Sequence, residues 1–141
     1  MNNFIKNILI FLFFFNFTNF LLAGNNDFHE GKKLFDLKNY EDSKIKFEKD
    51  IVFNPKNENS YLYLAKIFNK KDNIDLEENN LNTVILLNPK NEEAVYLLTV
   101  LNIKKSNFNK AKNLIDTFES ICNLMCSSKD ELLKKLEDSS K

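Results

Sequence analysis

No arginine occurs anywhere in this chain: all 20 basic residues are lysine, set against 20 Asp and Glu, for a formal net charge of +0. Planar, bidentate recognition of phosphates and base edges leans on guanidinium groups, so a neutral chain without them is poorly suited to nucleic acid. Tryptophan is absent, and glycine and proline occur only twice each. Gly24 and Gly31 are too few to build a phosphate-cradling loop. The single histidine, His29, leaves no Ser/His/Asp or Cys/His arrangement to assemble, and carboxylates lie beside lysines on helix faces as solvated surface. Neither catalysis nor a cofactor or metal is expected.

Asn, Lys, Ile and Phe fill the 141 residues instead, a length that holds one ordinary domain. The N-terminus stands apart. Lys6 precedes an apolar run from Ile8 to Leu22, broken by Asn16, Thr18 and Asn19 and followed by Ala23 and Gly24. A positive start, a short apolar core and small residues make the layout of a secretory signal. Ile5 to Leu22 is also just long enough for an uncleaved membrane anchor, so residues 1–24 read as signal peptide or anchor helix. Asn25 stands where a lipoprotein would carry its lipidated cysteine, which excludes that modification. Both readings place the rest of the chain outside the cytoplasm, in the periplasm or cell envelope.

From about Asp27 onward the chain reads as helix, turn, helix. Apolar residues three and four apart predict helices at Asp27 to Lys38, Glu41 to Phe53, Glu58 to Lys71, Asp75 to Leu87, Glu92 to Lys105 and Asn109 to Asn123. A last helix, Lys129 to Leu136, follows Ser128 with Glu131 three residues on, the spacing of a capping box.

Two markers give this pattern a period. The pentapeptide Asn-Pro-Lys-Asn-Glu occurs at Asn54 to Glu58 and again at Asn88 to Glu92, so Pro55 and Pro89 are 34 residues apart. Asn39, Asn73 and Asn107 repeat at the same interval, each before a large apolar residue: Tyr40, Ile74 and Phe108. Asn-Pro stops a helix and Asn-Glu starts the next. The other three asparagines are expected to take a left-handed turn within each helix pair.

A 34-residue helical hairpin with Tyr61, Leu64, Ala65 and Phe68 on its first helix and Pro89 at its end resembles the tetratricopeptide repeat family. Gly31, Tyr40, Ser43, Phe47 and Pro55 carry the likeness in the first unit, and Leu98, Phe108, Ala111 and Ile115 in the third. Glu77 stands where the second helix of the middle unit should be small. The resemblance implies an all-α, right-handed superhelical stack of three helix-turn-helix repeats, about 25–57, 58–91 and 92–125, with a capping helix near 128–137, all in one domain from 25 to 141.

It also implies that the first helix of each pair lines a concave groove for a partner peptide or helix. Phe28, Lys32 and Phe35 fall there in the first unit, Asn59, Leu62, Lys66, Asn69 and Lys70 in the second, and Tyr96, Val100, Ile103 and Lys104 in the third. Such a wall, lysine-rich on one side and apolar toward the third repeat, suits a peptide with acidic groups and one or two apolar anchors. The Lys and Asn pattern by which chaperone-binding members hold a terminal carboxylate is not reproduced, since Lys32 and Tyr63 occupy the Asn places. An envelope adaptor or scaffold is the function this implies. A self-associating structural protein, and an accessory subunit that delivers a polypeptide to an assembly or secretion machine, are the alternatives.

Cys122 and Cys126 sit one turn apart in a compartment that oxidises thiols. In a continuous helix their side chains run nearly parallel, so a disulfide needs the helix to loosen or end near Asn123 to Ser127; otherwise they are buried free thiols.

Overall fold

In the computed structural model, residues 24–140 are described, and the apolar N-terminal run lies outside them. Seven helices follow one another among these residues: α1 Gly24–Asp36, α2 Tyr40–Phe53, α3 Glu58–Lys70, α4 Ile74–Leu87, α5 Glu92–Lys104, α6 Phe108–Ile121 and α7 Ser128–Ser139. No strand forms among the described residues, and no helix among them is long and apolar enough to cross a membrane. The chain divides into two units, one ending at Pro55 and the other starting at Lys56.

The pentapeptide works as a stop and a start. Asn54 and Asn88 cap the ends of α2 and α4 with φ of −125° and −140°, because the residue before proline is pushed out of the helical region. Asn57 and Asn91 are then the N-caps of α3 and α5, and the Asn91 side chain accepts from Ala94 N–H at 2.9 Å.

Within each pair the turn differs from the expectation by one residue. Asn39, Asn73 and Asn107 are N-caps with φ of −82°, −89° and −84°. The left-handed residues are those just before them, Lys38, Asp72 and Ser106, with φ of 61°, 52° and 57°. Each turn closes with a paired bond: Asn39 N–H to Leu34 O and Lys38 N–H to Phe35 O, then Asn73 to Phe68 with Asp72 to Asn69, then Asn107 to Asn102 with Ser106 to Ile103. These are Schellman closures, in which the residue after the helix must turn left-handed while the next one is free to cap the following helix. The sidedness of that geometry places asparagine in the cap.

The small and large slots recur through all three hairpins. Gly31, Ala65 and Thr99 are buried at one position, and Phe47, Leu81 and Ile115 at another. In the first unit a Cβ on Gly31 would stand 2.9 Å from Phe47 Cε1, so glycine is what lets this ring sit against α1. Ser43, in the small slot of α2, donates its hydroxyl to Gly31 O at 2.8 Å. Glu77 takes that slot in α4 and is also buried, its carboxylate accepting from Asn69 Nδ2 at 3.0 Å. The hairpin closes around it because the acid finds a donor across the turn, near the end of α3.

The second unit has two cores. Leu62, Ala65, Leu81, Val84, Ala94, Leu98 and Leu101 join α3, α4 and α5. Val95, Ile103, Ala111, Ile115, Phe118, Leu132 and Leu136 join α5, α6 and α7. Glu131 does not close a capping box; it accepts from Tyr96 Oη at 2.8 Å and so ties α7 to α5. α6 ends at Ile121, and in the loop that follows Cys122 and Cys126 are joined by a disulfide with 5.1 Å between Cα atoms.

Candidate functional site

The first helices of the second unit, α3 and α5, together with α7, carry a line of aromatic and charged side chains. Lys66 lies with its ammonium 4.8 Å from the Tyr63 ring centroid and 2.7 Å from Glu93 Oε1, joining α3 to the N-terminus of α5. One repeat further on, the Tyr96 ring packs 6.3 Å from that of Phe118 while its hydroxyl meets Glu131. Burial pushes the Tyr96 hydroxyl above its ordinary pKa, and the Glu131 carboxylate adds to this, so it stays a donor. Val100 is half-buried beside it, and Asn59 and Lys70 are exposed. At the far end Lys104 reaches Asp72 at 2.9 Å.

Two residues expected on this face belong to the core. Leu62 is 5 % exposed, packed with Ala94 and Leu98 of the following hairpin, and Ile103 is 6 % exposed among residues of α6 and α7. Packing against the following hairpin consumes Leu62, and packing against α6 and the last helix α7 consumes Ile103, because a first helix must bury one stripe against its successor as well as one against its own partner. Asn69 is engaged by Glu77 and turns toward α4. In the first unit, Phe28 packs against Phe47 at 5.8 Å, Phe35 against Tyr40 at 5.4 Å, and Lys32 pairs with Asp36 at 2.8 Å. His29 is exposed, its ring edge-on to Phe28.

Tyr63 and Glu93 were not among the expected groove residues, yet they frame Lys66. The period held a signal for Glu93, since it occupies the Asn59 position one repeat on. The face is accordingly charge-balanced: Glu93, Asp72 and Glu131 each sit against a lysine or tyrosine of the wall. Surface ion pairs are worth about 0–1 kcal/mol, so a ligand carboxylate can replace Glu93 or Asp72 at little cost.

Other charges fasten the hairpins. Glu58 accepts from Asn88 Nδ2 at 2.8 Å and from Asn91 Nδ2 at 3.2 Å. Glu92, the next copy of that residue, accepts from Met125 N–H at 2.8 Å and Leu124 N–H at 3.1 Å, and these backbone bonds hold its carboxyl below the ordinary range. Glu78 is held low by Lys105 and by Lys110 at 2.8 Å, which link α4 to the end of α5 and the start of α6. In the first unit burial pushes the Asp27 carboxyl up, but Lys49 at 2.9 Å and Lys46 at 3.2 Å outweigh it and leave it low.

No family model matches the chain, and no curated protein matches it. Solved structures do. The TPR2B domain of yeast Sti1, in its pHsp70 complex, superposes with a TM-score of 0.75 at 16 % identity over 82 % of this chain and 96 % of that one. The first TPR of Spaghetti (RPAP3), bound to the HSP90 peptide SRMEEVD, gives 0.70 at 16 % over 82 % and 91 %. The Yersinia enterocolitica type III secretion chaperone SycD, in complex with a peptide of the translocator YopD, gives 0.71 at 13 % over 82 % and 90 %. The chain has the tetratricopeptide-repeat fold.

Proposed function

We propose that this protein is an exported or membrane-tethered adaptor that holds a segment of a partner protein on the face of α3 and α5. The observation that carries this reading is the prepositioned strip of Tyr63, Lys66, Tyr96 and Val100, aromatic and aliphatic surface interleaved with a lysine whose counter-ion is displaceable. Neighbours of the same fold support it, having been solved with an HSP90 peptide and with a peptide of a translocator. Here Lys32 and Tyr63 replace the Asn of the carboxylate-holding pattern, and the lysines are already paired. The ligand is therefore a segment that lays apolar residues on Tyr63, Tyr96 and Val100 and brings one or two acids to Lys66 and Lys104. The apolar run from Ile8 to Leu22 and the disulfide support residence in an oxidising compartment, with residues 1–24 as signal or anchor and 25–141 as the repeat domain.

A charge exchange tests it. Lys66→Glu breaks the pair with Glu93, and adding Glu93→Lys restores the pair with its polarity reversed. If Lys66 serves only the fold, the double variant recovers partner binding. This reading predicts that it recovers thermal stability and still fails to bind; recovered binding overturns the assignment of Lys66.

A further inference from the structure

We propose that the Cys122–Cys126 disulfide is a redox latch on the last helix, whose two-electron reduction frees the loop before α7 and undocks that helix from α5 and α6. The inference needs no partner and stands apart from the adaptor reading.

At the boundary between the second and third hairpins the turn is made rigid by Pro89, and Asn88 and Asn91 supply side chains to Glu58. One period on, no proline follows α6, and Glu92 is met by bare backbone N–H groups of Leu124 and Met125. The disulfide supplies the rigidity that proline supplies elsewhere, because it fixes the short loop in which those two N–H groups face one carboxylate. Met125 is half-buried against the second core, so the same constraint seats its side chain.

Little buried surface keeps α7 in place. Leu132 and Leu136 are its only buried residues, and Tyr96 with Glu131 and Lys129 with Glu119 are among its cross-helix polar links. An element with so little buried surface is among the first to open. Reductant has access as well: Cys126 is exposed, and neighbouring Leu124 is 88 % exposed.

The chemistry balances with a dithiol reductant. One of its thiolates attacks a sulfur of the bridge and breaks the bond between Cys122 and Cys126. Its second thiolate resolves the mixed disulfide, so the reductant leaves oxidised while two electrons and two protons remain as two cysteine thiols. Undocking α7 then parts Tyr96 from Glu131 and uncovers the apolar surface of α5 and α6.

Hydrogen exchange on the full chain, with and without dithiothreitol, tests this. Reduction should speed exchange across residues 122–139 on the order of tenfold while α3 and α4 stay unchanged. Cys122→Ser with Cys126→Ser should behave as the reduced protein without reductant, and Leu132→Ala should open α7 with the bridge intact. Should the double variant not fold, reduction of the natural chain still decides the matter. Unchanged exchange in α7 overturns the proposal, and so does an equal acceleration of α3 through α6, which would make the bridge a general staple.

Discussion

Glu58 Oε1 receives the side-chain amide of Asn88 at 2.8 Å, 30 residues later, so the residue that opens one hairpin holds the turn that closes it. Asn91 joins them at 3.2 Å. The repeated pentapeptide is thus a clasp as well as a stop and start. Glu58→Ala should cost about 1 kcal/mol, with Glu58→Ala and Asn88→Ala non-additive in a double-mutant cycle. Chemical denaturation of the four proteins measures this, and additive losses would show the clasp to be idle.

The left-handed turn residues give a prediction of the opposite sign. Ser106 at φ 57° and Lys38 at φ 61° are exposed and carry a Cβ into a region that favours glycine. Ser106→Gly and Lys38→Gly should each stabilise by roughly 0.5–1 kcal/mol, whereas Asn107→Gly, at an N-cap of negative φ, should not. Thermal melts separate the two positions.

Gly31 should be intolerant of a single methyl. Its Cβ would fall 2.9 to 3.1 Å from three atoms of the Phe47 ring, which is fully buried. Gly31→Ala should cost roughly 1–3 kcal/mol, and Phe47→Leu in the same chain should return part of it. A Gly31→Ala protein as stable as the parent would mean that α1 and α2 pack otherwise.

Glu77 gives the pH dependence. Burial pushes its carboxyl above the ordinary glutamate value, against the opposing Asn69 bond and Lys104. A raised folded pKa means the folded state binds this proton more tightly, so the contribution is complete below the unfolded value and lost as pH rises through the folded one. Glu77→Gln should therefore stabilise the neutral-pH protein by about 1 kcal/mol and flatten the stability curve just above the ordinary glutamate range. Asp27, Glu78 and Glu92 act the other way, losing their contribution as pH falls through their depressed values. Comparing the pH profiles of parent and Glu77→Gln isolates the one group.

The architecture was legible because proline and asparagine at a fixed interval report backbone geometry, which is local. The offset between Asn73 and Asp72 was not, since asparagine suits both the left-handed turn and the N-cap, and only the Schellman bonds decide. Leu62 and Lys66 stand four apart on α3, and the resemblance to the repeat family implied an open groove for both. The structure separates them because Leu62 is buried in one core cluster with Ala94 and Leu98 of the next hairpin, whereas Glu93 meets Lys66 at its rim. Glu77 broke the expected pattern without breaking the hairpin, because its hydrogen-bond donor, Asn69, lies on the other helix of the pair. Packing between repeats, and pairing across them, are long-range facts that a period alone does not carry.

On the proposed function, α3 and α5 present the partner-binding face. A photo-crosslinking amino acid placed in turn at Asn59 and Val100, and at Leu86, which is 81 % exposed on α4, tests it in the native cell. Asn59 and Val100 should capture one and the same polypeptide, Lys66→Glu should remove this product, and Leu86 should capture none of it. Capture from Leu86 alone, or equally from all three positions, would contradict it.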